Sequence, residues 1–418
     1  MSRNGEIRKL LDNEFDSYVE VLHGAYPALA HSVSDEKKQQ LIKSLIKTNN
    51  EDAEVNYYGY FRDGKLLGAM HILDFEMRML SVNTTVGGIA DVCVALLHKK
   101  EHLGKELLIF FHKYCLEKGI PLALLYPFRP DFYARMGYGF GKKMNQYSFK
   151  PINLPVTSKQ NLRFLDSSDI KKITECFNRA AIQVHGMILR RENKFKSMFD
   201  NLKVVGYEEN NRIEGFIAFR FKQIDKDNFI RNNILIRELV YENRNVLRSL
   251  LAFLRTQNDQ INRIIYNTPD DHFHHLLLDP RSKGNKSFFH ISQETNISGV
   301  GMMYRVTNTS RMFEVLKDHN FGKQNLKLKV TILDSFLPEN DGSTIIHFKE
   351  GKSIVVSSDE FDVEIKLRVA EFSSLIMGVI SFRKLFRYDL AEISNSDYIE
   401  IVNQIFRVEE PPITTEPF

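Results

Sequence analysis

The run from Ile89 to Gly139 holds the residues whose types and spacing could do chemistry. Ile89-Ala90-Asp91-Val92-Cys93-Val94-Ala95-Leu96-Leu97 reads as an apolar strand, and His98-Lys99-Lys100-Glu101-His102-Leu103-Gly104-Lys105 as a basic turn. An amphipathic helix follows from about Gly104 to Glu117; Lys118-Gly119 ends it and Pro121 bars its continuation. Leu122 to Tyr126 forms a second apolar strand, and Phe132-Tyr133-Ala134-Arg135-Met136-Gly137-Tyr138-Gly139 a tyrosine-rich turn. A strand feeding a basic loop that opens a helix makes an anion site, because the first helical N–H groups lack intrahelical acceptors and point at the ligand. The pyrophosphate of an acyl-CoA is the anion we assign to it.

Elements on either side must position this run. With 418 residues the chain is too long for one ordinary core, so two or three domains are expected. Phe15 to Tyr26 and Asp35 to Lys47 have helical spacing, Val55-Tyr57-Gly59-Phe61 alternates, and Arg62-Asp63-Gly64-Lys65 is a hairpin turn by its Asp-Gly pair. Pro151, Pro155 and Thr157-Ser158-Lys159-Gln160 mark a linker, which closes a first unit at residues 1–150. A second unit, 156–293, repeats the order: helix, antiparallel strands, then the strand Ile234 to Val240 and the helix Val246 to Arg255. Its counterpart loop, Glu242-Asn243-Arg244-Asn245, has no glycine and one cation, so we read this unit as a structural partner without a CoA site. A third unit, 294–418, opens with a strand through Gly301 to Val306 and carries alternating strands and a helix, Ala370 to Gly378, that ends at a glycine.

Composition narrows the class. Hydrophobic content of 43% and charged content of 26% are ordinary for a soluble globular protein, and a net charge of +4 gives no support for a nucleic-acid partner. Cys93, Cys115 and Cys176 are odd in number and widely spaced, which fits reduced cytoplasmic thiols and neither a disulfide framework nor a metal site. His272, His274 and His275 lie in a loop flanked by Pro and Asp with no Cys nearby, and read as a surface cluster. No apolar run is long enough for a membrane span, and no signal-peptide core is present.

The order of pieces resembles the GCN5-related N-acetyltransferase (GNAT) superfamily. Phe132 to Gly139 matches the aromatic, Tyr, small, Arg, apolar, Gly-Tyr-Gly pattern of the enhanced intracellular survival (Eis) family of bacterial aminoglycoside N-acetyltransferases. The resemblance extends to the Phe372-Ser373-Ser374-Leu375 helix followed by Gly378, and to the aromatic last residue, Phe418. It implies an α/β (α+β) protein: tandem GNAT folds followed by a sterol-carrier-protein-like α/β domain. It also implies acetyl-CoA as cosubstrate with no metal, a small-molecule amine substrate, and a homo-oligomer, hexamers being the family's assembly. Val92, Cys93 and Val94 would offer backbone groups to the pantetheine arm. Lys99, Lys100, Glu101, His102, Leu103, Gly104 and Lys105 would cradle the pyrophosphate, and Phe128 and Arg129 match further CoA-contacting positions. Tyr133 would be the general acid for the thiolate, and the Phe418 carboxylate would accept or orient the amine's proton.

Each residue also has a plainer reading: Tyr133 as a packed aromatic, the Lys-Lys-Glu run as a solvated turn, Phe418 as a frayed terminus. The loop departs from the family's arginine-and-glycine pattern. Only Gly104 survives; His102 puts a Cβ where the backbone should approach phosphate, Glu101 adds negative charge, and lysines replace arginines. Weakened CoA binding is therefore expected, with a non-catalytic ligand-binding or scaffold protein as the alternative. Asp16, Glu20, Asp74 and Glu76 are candidates for a substrate-facing carboxylate.

Overall fold

The computed structural model describes residues 5–30, 34–282, 284, 287–288, 290–416 and 418. Two compact units form, one from Met1–Gly141, Met302–Glu409 and Phe418, the other from Lys142–Gly301 and Glu410–Pro417.

The first unit is built on a sheet of seven strands in the order Glu6–Lys9, Val55–Arg62, Lys65–Met79, Val82–Val94, Leu122–Leu125, Met303–Val306, Gly139–Phe140. Its hairpin turns at Asp63 and Gly64, both at positive φ (49° and 75°), as the Asp-Gly pair requires. The helix Phe15–Ala25 buries Phe15, Tyr18, Val19 and Leu22, a helical stripe, against the two long strands. The helix Leu103–Glu117 buries Leu103, Leu107, Leu108, Phe111 and Cys115 in the core. All but one of the neighbouring pairs run antiparallel. Val82–Val94 and Leu122–Leu125 are parallel, and they pair only at Gly87 with Ala123 and Gly88 with Leu124. Beyond Gly88 the two strands part.

Three sequence expectations are corrected here. The strand ends at Val94, and Leu96–His98 is a 3-10 turn. Met303–Val306, expected to open the third unit, is a strand of the first sheet, lying antiparallel to Leu122–Leu125 from Met303 opposite Leu125 to Val306 opposite Leu122. Met144–Phe149, counted with the first 150 residues, belongs to the second sheet between Asn296–Gly299 and Ile261–Thr268. Strand membership follows the edge whose register a segment completes, and sequence order does not fix that.

The C-terminal part of the first unit adds a five-stranded sheet in the order Lys352–Val356, Gly342–Lys349, Leu326–Leu333, Val363–Arg368, Ala391–Ile393. The helix Val369–Ile376 ties it to the first sheet. Val306 N–H donates to Ser373 Oγ at 2.8 Å, and Ser374 Oγ donates to the Phe140 carbonyl at 2.8 Å. The paired serines of the Phe-Ser-Ser-Leu run thus hold the strands beside the tyrosine-rich turn.

The second unit repeats the plan in a seven-stranded sheet, Asn296–Gly299, Met144–Phe149, Ile261–Thr268, Asn232–Tyr241, Arg212–Gln223, Lys203–Glu209, Leu162–Leu165, with helices Ile170–Ala181 and Arg244–Arg255 packed on it. Its C-terminal segment is docked: Ile413 N–H donates to the His185 carbonyl at 2.8 Å and Thr414 Oγ1 to the Gly186 carbonyl at 2.7 Å. Arg190, buried, pairs with Glu238 at 3.1 Å and with Glu416. Among the described residues no helix is long and apolar enough to cross a membrane.

Candidate active site

Where the parallel strands part, one edge of Val82–Val94 is open. Ala95 N–H donates to the Leu67 carbonyl at 2.8 Å, and Cys93 pairs with Ala69 two residues back. Hydrogen-bonded positions alternate along an antiparallel ladder, so Cys93 spends its backbone groups on that neighbour, and Val92 and Val94 turn theirs to the open side. The Cys93 thiol is buried, 3.6 Å from the Ala69 carbonyl, and burial pushes it up to about 12. The Val92 carbonyl accepts from the Tyr26 hydroxyl at 2.9 Å. Tyr26, at the end of the helix Phe15–Ala25, had no signal in sequence beyond being the last residue before Pro27.

The basic loop keeps its shape without the expected glycines. Lys100 and His102 both take left-handed backbone (φ 67° and 66°), which costs a non-glycine residue roughly 1 kcal/mol. The His102 carbonyl then accepts from Lys105 N–H at 2.9 Å and Glu106 N–H at 3.1 Å, starting the helix with no side-chain cap. Glu101 is turned to the loop's own support. Its Oε2 accepts from Arg62 Nη1 at 2.7 Å and its Oε1 lies 3.0 Å from His98 Nδ1, so its charge is matched by a cation from the hairpin. The Arg62 hydrogen bond, then that of His98, holds the Glu101 carboxyl below the usual carboxylate range. Lys99, Lys100 and Lys105 are exposed, and Lys105 Nζ lies 5.7 Å from the Phe336 ring centroid.

Gly104 fits an anion cradle on an observation of its own. A Cβ there would meet only Phe132 at 3.8 Å and Val94 at 4.0 Å, so neither packing nor backbone angle demands glycine. The missing side chain keeps space free beside the helix N-terminus. Gly104→Val should therefore leave the melting temperature unchanged or higher, since glycine is a poor helix former, while acetyl-CoA affinity falls roughly 30-fold, worth about 2 kcal/mol. Calorimetric titration and a thermal melt on the same sample check both halves.

Tyr133 lies in the short helix Pro130–Ala134, its ring edge-on to Phe128, Phe132 and Tyr138 at centroid distances of 5.7, 5.2 and 5.9 Å. Burial, then the nearby Tyr26, raises its phenol above the ordinary value. Among the described residues its hydroxyl has no hydrogen-bond partner, yet it is not sealed from solvent. The turn behind it is fixed from below: Arg305, fully buried, donates to the Met136 carbonyl at 2.7 Å and pairs with Asp334 at 2.6 Å. Gly137 sits at φ 83°, and a Cβ there would lie 1.6 Å from Arg305 Nη1, so only glycine fits. Phe128 is exposed, and Arg129 is held by Asp131 at 2.6 Å, which pulls that carboxyl down to about 2.

The last residue is not frayed. The Phe418 ring packs against Phe75 (5.1 Å) and Tyr126 (5.5 Å), and Tyr126 directly follows the strand Leu122–Leu125 where it leaves its partner. Pro417 lies outside the described residues.

An acetyltransferase (GNAT) domain family matches residues 6–141 and another matches 185–306. The chain carries tandem GNAT domains. A sterol carrier protein domain matches residues 311–415, completing the tandem GNAT and sterol-carrier architecture. Solved structures share the fold over the whole length. A GCN5-related N-acetyltransferase from Anabaena variabilis has TM-score 0.80 at 16% identity, covering 99% of this chain and 100% of its own. One from Kribbella flavida has TM-score 0.78 at 16%, covering 99% and 98%. Eis1 from Mycobacterium abscessus has TM-score 0.76 at 18%, covering 99% and 100%. No curated protein matches the chain.

The second GNAT domain differs at its helix start. Asn243 Oδ1 accepts from Asn245 N–H at 3.0 Å and Val246 N–H at 3.1 Å, taking up amides that the first domain leaves uncapped. Of the candidate acids, Asp74 is bound by Tyr114 (2.8 Å) and Lys118 (2.7 Å) on the side of the helix Leu103–Glu117. Asp16 and Glu20 share Lys38 at 3.0 and 3.7 Å. His272, His274 and His275 lie in and beside the turn Phe273–Leu276.

Proposed function

We propose that the protein is an acetyl-CoA-dependent N-acetyltransferase acting on a primary amine of an aminoglycoside, polyamine or lysine-like substrate. The observation that carries the reading is the parting of the parallel strands after Gly88 and Leu124, with the uncapped helix behind Gly104; Tyr26, whose hydroxyl bonds the Val92 carbonyl, is near enough to Tyr133 to raise its phenol. Acetyl-CoA supplies an acetyl thioester. Val92 and Val94 bind its pantetheine arm; Lys99, Lys100, Lys105 and the helix amides bind its pyrophosphate. The acceptor nitrogen forms the new C–N bond as the C–S bond breaks. Tyr133 holds a proton for the departing sulfur, and the Phe418 carboxylate orients the amine and receives its proton directly or through water. A carboxylate is a far weaker base than an alkylamine, so orientation is the larger part of that role.

Appending two residues after Phe418 should lower kcat at least about tenfold with acetyl-CoA affinity unchanged, the scale of a misplaced proton acceptor. Steady-state kinetics with a polyamine checks it; an unaltered kcat would remove the terminal carboxylate from the mechanism. The resemblance also carries a cytoplasmic homo-oligomer, with a hexamer as the family's assembly, no metal, no nucleic acid and no membrane partner. A non-catalytic ligand-binding or scaffold role draws support from one observation, the strained His102 in place of glycine.

A further inference from the structure

Asp91 is the single charged residue between Thr84 and Leu97, and the bulge in its strand decides where it goes. Ala69 pairs with Cys93 and His71 with Ala90, so Met70 alone faces both Asp91 and Val92, and Asp91 takes φ 50°. Its Oδ2 accepts from the Tyr18 hydroxyl at 3.2 Å and lies 3.2 Å from His71 Nδ1. Its Oδ1 has no hydrogen-bond partner and no Lys or Arg at ion-pair distance among the described residues, and the side chain is 39% exposed. Burial works to raise this carboxyl, but His71 and Tyr18 outweigh it and keep it below its ordinary range. The result is a fixed anion with one oxygen bound and the other free.

Its face matters. His71, Leu73 and Phe75 alternate with Ile72 and Asp74, so they share the side on which Tyr18 packs, away from Tyr114 and Lys118. The Phe418 ring lies on Phe75, on that same side. An attacking amine must be neutral, so a carboxylate held ionised suits a second nitrogen better than the reacting one.

Resting on the acetyl-transfer reading, we infer that Asp91 binds a non-reacting ammonium of the acceptor and so selects substrates with at least two amines. The test compares wild type with Asp91→Asn, a residue that tolerates positive φ, using spermidine and the monoamine butylamine. Expected is a rise of about tenfold or more in KM for spermidine, with kcat/KM for butylamine and KM for acetyl-CoA unchanged, the size of one charge-assisted contact. Tyr18→Phe, which removes one donor from Oδ2, should give a smaller loss for spermidine only. An unaltered spermidine KM, or equal losses for both amines, overturns the inference and leaves the acetyltransferase reading standing. If wild type releases no CoA with any amine, that reading fails. Calorimetric titration with spermidine then decides alone: weaker binding by Asp91→Asn supports the inference, equal binding or none by wild type overturns it.

Discussion

Tyr133→Phe should lower kcat about 100-fold while leaving acetyl-CoA affinity and melting temperature unchanged. The change removes one oxygen that has no protein hydrogen-bond partner among the described residues, and it keeps the ring contacts with Phe128, Phe132 and Tyr138. Folding therefore has little to lose. Loss of a positioned acid typically costs a factor of about 10² to 10⁴, and the lower end, about 2.7 kcal/mol, is expected because a thiolate is a good leaving group. The pH profile adds a sign. Burial raises the phenol above its ordinary value, so Tyr133 stays protonated as pH climbs, and wild-type kcat should show no loss of this acid below about pH 10. Steady-state kinetics across pH checks both. Equal kcat in the two proteins would return Tyr133 to the role of a packed aromatic.

Arg305→Met should destabilise the first unit by about 3–5 kcal/mol, lowering its melting temperature by roughly 10 °C. The guanidinium is fully buried, bonded to both oxygens of Asp334 and to the Met136 carbonyl. Removing it leaves the Asp334 charge with the Phe336 and Leu337 amides and Asn340 as its remaining donors. It also frees the turn that carries Tyr133, so activity should fall at temperatures where the variant is still folded. Thermal unfolding with a parallel rate assay separates the two effects. An unshifted melt would show that the ion pair has no net worth.

What the sequence made legible was local. The Asp-Gly hairpin, the helix beginning near Gly104, the basic turn and the tyrosine-rich turn each carry their signal within a few residues. What it hid depends on partners far along the chain. The Glu101 charge looked hostile to an anion until Arg62, 39 residues earlier, proved to face it. Gly137 needs Arg305, and the strand around Arg305 needs Leu122–Leu125 to pair with. Asp91 stood in plain view as a lone charge in an apolar strand. The bulge that turns it toward Tyr18 depends on the register against Ala69 and His71, which no local pattern reveals.

Acetyl-CoA should bind at the parted strands and the uncapped helix of the first GNAT domain. Calorimetric titration of the purified protein with acetyl-CoA tests it most directly. Saturable binding at one site per chain is expected, because Asn243 caps the corresponding helix of the second domain. Folded protein that binds no acetyl-CoA, or that binds two equivalents, would contradict it.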